Sequence, residues 1–503
     1  MTDESSPPAA TGPLSAPLPE RVRAVNVGLA RFGEAVRAQG AEAVDVDWRI
    51  PAGGQDGLVE SLTRLYGRHA ERVDRANREA VRRLDEGVAM LVEIGPAADL
   101  VPGMGRRTVL HPGPPLSWER FCDPLRRSVL AAVMAEGWAA TPEAAEALVA
   151  ADGVELEPAN HHHAVVPMAS AVGPSAPVLV IENRSGANRA FSGLNQGPGR
   201  TAWYGVDAPE AVERLRFLRD GAAPLLAAAV RRSGPVDVLS LAGQGLQMGD
   251  DGHLRTQAAT NLLIRQLLPY LAEVGGPGLA ALARFLSENH LFFLNLVMAA
   301  AKSLADWAAE VEEASVVTGM ARNGTTFGVR MAATGDRWFT APAPPVDRAL
   351  FHAGFGPADG APDIGDSAVL ELVGLGGAAA AASPAVAAFL GGGMAKAVAA
   401  TEAMDRICVG RSTRFRLPFL DQRGSPVGVD LRRVVETGIT PSINTGILHR
   451  SAGSGQVGAG VASAPRACFE QTLAALDERL GPPDGGRGGG ADAGGAAQET
   501  SRR

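Results

Sequence analysis

Residues 21–48 read RVRAVNVGLARFGEAVRAQGAEAVDVDW. The apolar period changes from two to 3.6 and back to two along this stretch, with Gly28 and Gly40 at the two changes. That pattern predicts strand, turn, amphipathic helix, stop and second strand, a βαβ unit. A helical pattern over about 56–84 follows, and then two short strand patterns, GVAMLVEIG (87–95) and RTVLHPGPP (107–115). Together they predict a Rossmann-like α/β domain over 20–115. Its first turn, NVGLARFG, lacks the second and third glycines of GxGxxG, so it offers no close backbone approach to a dinucleotide pyrophosphate.

Working outward, residues 116–480 alternate less regularly. Helical patterns occupy 118–150 and the neighbourhoods of 208–232, 254–274 and 290–310; APVLVIEN (176–183) reads as a buried strand and SVVTGMARNGTTFGVRMA (315–332) as a hairpin. The expected class is therefore α/β and α+β multidomain, with a larger mixed α+β region containing a helical subdomain. The Pro/Ser/Ala-rich segment 1–19 and the Gly-rich segment 481–503 read as disordered tails.

At 503 residues the chain exceeds what one core usually serves. Its formal net charge of −8 argues against a general nucleic-acid partner, which would need a basic excess. Cys122, Cys408 and Cys468 are too few and too scattered for a disulfide framework or a zinc site, and no long apolar run suggests a membrane span or secretory segment. The expected location is the cytoplasm.

Chemistry-bearing residues gather in a few places. NHHHAVVPM (160–168) puts His161, His162 and His163 in a row; alternate residues of a strand face opposite ways, so only a loop could present two of them together. Metal ligation, proton transfer and structural hydrogen bonding all fit the run itself, and no HExxH or comparable spacing supports a metal or other cofactor. VIENRSGANRAFSGLNQGPGR (180–200) ends an apolar strand on Glu182, Asn183 and Arg184 and adds Asn188 and Arg189. Amides and guanidinium forks suit an anionic, amide-bearing ligand, though a solvated loop with ion pairs has the same composition. GLQMGDDGHLRT (245–256) supplies Asp250, Asp251 and His253, an aspartate there being also a helix N-cap candidate. Asn295 and Lys302 share a face of an apolar helix; Arg322 and Asn323 precede a hairpin glycine; Asp366 precedes a GLGG turn (374–377) that could receive an anion or simply permit packing; and Asn444 sits among small polar residues. GxSxG and a Walker loop are absent, which disfavours serine-hydrolase and P-loop chemistry.

Taken together, HPGPPLSWER, NHHHAVVPM, ENRSGANRAF, QMGDD, NHLFFLNLVMAAAK, MARNGTTFG, GDRWFTAPAP, PDIGDSAVLELVGLGG and ETGITPSINTGI resemble one family, the YlbE/YahG/AllG type, over about residues 22–475. The resemblance implies a cytoplasmic oxamate carbamoyltransferase subunit that works with an FdrA-type subunit in a homo- or hetero-oligomer, without nucleic acid, membrane or cofactor. It implies phosphate-dependent conversion of oxalurate, or a related ureido acid, to oxamate and carbamoyl phosphate. On that reading His161, His162, His163, Asp250 and His253 are the catalytic candidates. Glu182, Asn183, Arg184, Asn188, Arg189, Arg322, Asn323, Asp366 and Asn444 would hold the anionic ureido acid and phosphate. A non-catalytic scaffold subunit and a metal-dependent amidohydrolase are the alternatives.

Overall fold

In the computed structural model, which describes residues 21–46, 50–346, 348–451 and 453–481, the period changes of the opening stretch become β1 (Arg23–Val27), α1 (Ala30–Ala38) and β2 (Glu42–Val46). The chain divides after Gly54 into two compact units, and these elements belong to the first. The strands pair in parallel, from Arg23 opposite Glu42 to Val27 opposite Val46. The face that α1 lies across carries Asn26 and Asp45; Asp45 accepts from Asn26 Nδ2 and Arg37 Nη2, both at 2.7 Å. Gly33 permits this approach, since a Cβ there would sit 2.0 Å from Asp45 Oδ1. The other face presents Val25, Val27, Val44 and Val46, all exposed. Parallel strands are normally covered on both faces. Here the polar face is the covered one.

The second unit opens with α2 (Asp56–Tyr66) and α3 (Ala70–Glu86), where the sequence predicts one helix. Gly67 makes the break: its N–H closes the last turn on Thr63 O at 2.9 Å, and a Cβ at Gly67 would lie 2.8 Å from that same oxygen. Then follow β3 (Ala89–Pro96), β4 (Thr108–His111), β5 (Glu155–Pro158), β6 (Pro177–Asn183), β7 (Asn188–Gly193) and β8 (Val236–Asp237). The strands expected at 87–95 and 107–115 form, but not in a doubly wound sheet with β1 and β2. β3 lies antiparallel to β6 in a sheet ordered β7-β6-β3-β8, and β4 pairs in parallel with β5. Periodicity specifies a strand without specifying its partner. The apolar run Val178–Ile181, buried throughout, is a better match for β3 than a local crossover.

Much of residues 209–309 is helical, including α4 (Gln257–Val274) and α5 (Leu294–Ala309). α5 is alanine-rich and buried almost all round, packing on α3, β6 and β7. Its buried polar residues are satisfied locally, Ser303 by donating to Ala300 O at 2.8 Å. Asn295 donates to Gly193 O at 2.7 Å and accepts from Asn195 at 2.9 Å; Lys302 Nζ lies 2.6 Å from Asp306.

Beyond α5 come β9 (Val317–Asn323), β10 (Thr326–Met331), β11 (Phe339–Pro342), β12 (Arg348–Phe351), β13 (Ile364–Gly365), β14 (Cys408–Leu417), β15 (Arg423–Val429), β16 (Ser442–Leu448) and β17 (Gln456–Ser463). The expected hairpin is β9–β10, in a sheet ordered β11-β10-β9-β13, and Gly324 takes the positive φ of +78° its turn requires. A second sheet is ordered β12-β17-β16. The fold class is mixed α/β, and no sheet among the described residues exceeds four strands. No helix among them is long and apolar enough to cross a membrane. The tails expected to be disordered lie outside the described residues, Gly481 excepted.

Candidate functional site

A bridge between Pro167 and Gly365 ties the segment after the histidine run to β13. It has a conformational cost. Met168 is held at φ +52°, unusual for a residue with a side chain, and Gly365 at +116°, where a Cβ would meet Met168 N at 2.5 Å. Met168 and Ser367 then line a cavity of about 360 Å³. Its other walls come from the second sheet, the first residue of α5 and several connecting segments, and include Trp203, Tyr204 and Phe351 together with three imidazoles, His253, His290 and His352. No carboxylate, lysine or arginine is among its lining residues.

His253 is the most constrained of the three. Its Nδ1 lies 2.8 Å from Glu371 Oε1, and both side chains are buried. The carboxylate places the proton on Nδ1 and leaves Nε2 as the nitrogen available to the cavity. Glu371 Oε1 is itself fixed by Gly377 N at 3.1 Å and Asn444 N at 3.2 Å. The N–H of the GLGG turn is thus engaged by the protein's own carboxylate, so the turn serves as support. Asp251 completes the frame, accepting from Arg255 N at 2.7 Å and Asn444 Nδ2 at 2.6 Å. Asp250 accepts from Ala258 N and Ala259 N at the start of α4, the capping role; burial pushes its carboxyl up to about 6. His290 sits in the turn before α5, its carbonyl held by Thr256 and Thr260 hydroxyls at 3.3 and 3.2 Å. Partial burial, and then the Arg255 charge, lower its pKa.

Behind this wall lies a second polar layer. Arg322, fully buried, forms a two-pronged pair with Asp363 at 2.8 and 2.9 Å and donates to Gly365 O at 2.7 Å. Asp366 accepts from Gly113 N at 2.8 Å and Val166 N at 3.0 Å, joining the HPGPP loop to the segment before the cavity; burial pushes it up to about 7. Asn323 secures the hairpin turn through Thr326 N at 2.7 Å and Pro114 O at 3.0 Å. These residues shape the cavity from behind.

The histidine run diverges. His161 Nε2 accepts from Trp338 Nε1 at 3.0 Å, with its pKa lowered by burial and by Arg330. His162 turns inward to Pro102 O at 2.8 Å and to the Glu157 carboxylate. His163, at φ +55°, puts Nδ1 2.9 Å from Asp306. Burial raises the Asp306 carboxyl, but the Lys302 charge and the bonds from His163 and Lys302 outweigh this and hold it below its usual range. The three rings serve three different neighbours and do not share a ligand.

The β6–β7 cluster is likewise turned to internal use. Asn183 donates to Asn188 at 3.0 Å, and Asn188 donates to Ser303 O at 2.9 Å, bracing the turn on α5. Arg189 and Arg184, both exposed, share Glu182 at 3.1 and 3.9 Å. Of the residues singled out in sequence, the structure brings His253 to the cavity and places Asn444 one shell behind it. His352 was not anticipated; a lone histidine in FHAGFG carries no spacing signal.

A family model described as oxamate carbamoyltransferase subunit AllG matches residues 154–367. That span includes the run and all three cavity histidines but stops before Glu371 and Asn444. Among curated proteins, Escherichia coli (strain K12) oxamate carbamoyltransferase subunit AllG is 40% identical over 414 residues, covering 81% of this chain and 99% of that protein. Uncharacterized protein YahG from the same strain is 34% identical over 460 residues, covering 91% and 97%. A crystal structure of a conserved protein of unknown function from Enterococcus faecalis V583 superposes with a TM-score of 0.80 at 34% identity, covering 82% of this chain and 99% of that one.

Proposed function

Since the chain belongs to the AllG/YahG family, we propose that it is a carbamoyltransferase subunit whose reaction takes place in the cavity lined by His253, His290 and His352. The observation that carries this reading is the buried His253–Glu371 pair, which gives a cavity free of carboxylates one oriented imidazole. The substrates are a ureido acid such as oxalurate and phosphate.

A phosphate oxygen attacks the ureido carbonyl carbon, forming the C–O bond of carbamoyl phosphate, and the bond from that carbon to the oxamate nitrogen breaks. The phosphate proton passes to His253 Nε2 and from there to the departing nitrogen, so protons and charge balance. Glu371 holds the ring and stabilises the imidazolium in between, a contribution worth roughly 10²–10⁴-fold for a positioned acid–base group. The imidazole N–H groups of His290 and His352 are the available donors for the oxyanion that develops on the carbonyl. An FdrA-type subunit is the proposed partner, and the histidine run has no step in this scheme.

The test is release of carbamoyl phosphate from oxalurate and phosphate, by the chain alone and mixed with the FdrA-type subunit. Phosphate-dependent release that collapses in His253→Ala is expected. No release from either preparation overturns the assignment, and undiminished release by a mixture containing His253→Ala reduces this chain to a binding subunit.

A further inference from the structure

Besides its imidazoles, the cavity is lined by one side-chain amide, Gln456, and by the hydroxyls of Tyr204 and Ser367. Gln456 owes its place there to an irregularity in β17. Residues three apart on a regular strand face opposite sides, so Gln456 and Ala459 would not meet the same volume. Here Ile447 pairs with Gly458 and Leu448 with Gln456, which leaves Val457 as an extra residue that turns the start of the strand. Both Gln456 and Ala459 line the cavity as a result. Gly446, on the neighbouring strand, makes room for the amide: a Cβ there would come within 3.2 Å of Gln456 Nε2 and 2.9 Å of Met168 Cε.

The amide is also oriented. Its Nε2 donates to Gly458 O at 3.1 Å. A carbonyl oxygen only accepts, so this bond fixes which end of the amide carries the nitrogen and leaves Oε1 as an acceptor. Nothing among the described residues donates to Oε1. Other polar groups on the walls are less suited to accept: Trp203 Nε1 donates to Gly197 O at 3.0 Å, and Ser367 Oγ already accepts from Arg322 at 3.4 Å. Tyr204, stacked on Trp203 at 4.6 Å between ring centroids, keeps its proton because burial pushes the phenol up. The lining therefore matches a neutral group that brings N–H donors of its own.

A ureido acid brings such a group, the terminal NH2 of its carbamoyl end. In the transfer scheme His253 Nε2 carries the proton and the other two imidazoles face the carbonyl oxyanion, so none of them receives this NH2. A donor that leaves water and finds no acceptor weakens binding. We infer that Gln456 is the specificity-determining residue for the carbamoyl end: its Oε1 accepts from the terminal NH2 and selects ureido acids over N-acyl acids of the same shape. This deepens the proposed transfer reaction and rests on it for the identity of the ligand.

Calorimetric titration of the full chain with oxalurate and with N-acetyloxamate, in which a methyl group stands where oxalurate has NH2, tests this without needing turnover. The wild-type chain is expected to bind oxalurate about tenfold or more tighter. Gln456→Met, close in shape but without the acceptor, should lose that preference by weakening oxalurate alone, and unaltered thermal melting identifies a variant that folds normally. Equal affinity of the wild-type chain for the two acids, binding of neither included, overturns the inference without any variant. A preference that survives in folded Gln456→Met overturns it as well. Release of carbamoyl phosphate judges the reaction separately. Release together with a preference indifferent to Gln456 leaves the reaction standing and sinks the specificity role; a preference that depends on Gln456 in a chain inactive with every partner does the reverse.

Discussion

Two groups of histidines use the same device in different surroundings. At the cavity, His253 Nδ1 meets Glu371 at 2.8 Å, and the carboxylate is buried with no lysine or arginine paired to it. In the run, His163 Nδ1 meets Asp306 at 2.9 Å, but Lys302 sits behind the carboxylate at 2.6 Å and the imidazole is 57% exposed. The ring at the cavity is the principal partner of its carboxylate; the ring in the run is the outermost member of an ion pair that is complete without it. Orientation by a carboxylate is common to both. Only the first orients a ring toward an enclosed volume where a proton can be exchanged with a bound molecule.

The largest expected effect tests that difference directly. His253→Ala should lower turnover by roughly 10²–10⁴-fold, while His163→Ala should leave it close to wild type; equal losses in steady-state rate would erase the distinction between the two pairs. Next in size is stability. Arg322→Met strands Asp363 in the layer behind the cavity and should cost about 3–5 kcal/mol in urea unfolding. Lys302→Met should cost less, because Asp306 keeps its bond from His163 and some contact with water. It also shifts the acid limb. The Asp306 carboxyl lies below 3.8 in the folded chain, so the stabilisation it supplies is present above the unfolded value and fades as pH falls through the depressed one; without Lys302 the fade moves to higher pH. The smallest effect belongs to Arg184→Ala and Arg189→Ala, exposed partners of Glu182, each expected to change stability by about 0–1 kcal/mol with anion affinity unchanged.

Local elements were legible where period and punctuation agree. The βαβ start, the buried strand at 177–183 and the Asn323–Gly324 hairpin all form, because each is decided by contacts a few residues apart. Sheet membership was not: nothing in GVAMLVEIG states that its partner lies beyond residue 176. The site follows the same division. His253 stood out beside two aspartates, and those aspartates proved to be a helix cap and a loop frame. His290 lies within NHLFFLNLVMAAAK, but its place beside the cavity depends on Thr256 and Thr260 reaching its carbonyl from another segment. His352 lies just past β12, whose neighbour, β17, begins about a hundred residues later. In 160–163 and 182–189 the sequence shows which polar residues are adjacent, whereas convergence on a cavity is a property of the chain path.

The valine face of the first unit has its own thermodynamic consequence. Two strands covered on one face by a single short helix bury little apolar surface, and Val25, Val27, Val44 and Val46 gain nothing from burial while they stay exposed. Covering these four valines would therefore add to the order of residues 21–46 as well as to the affinity of the covering surface, with part of that affinity spent on ordering the unit.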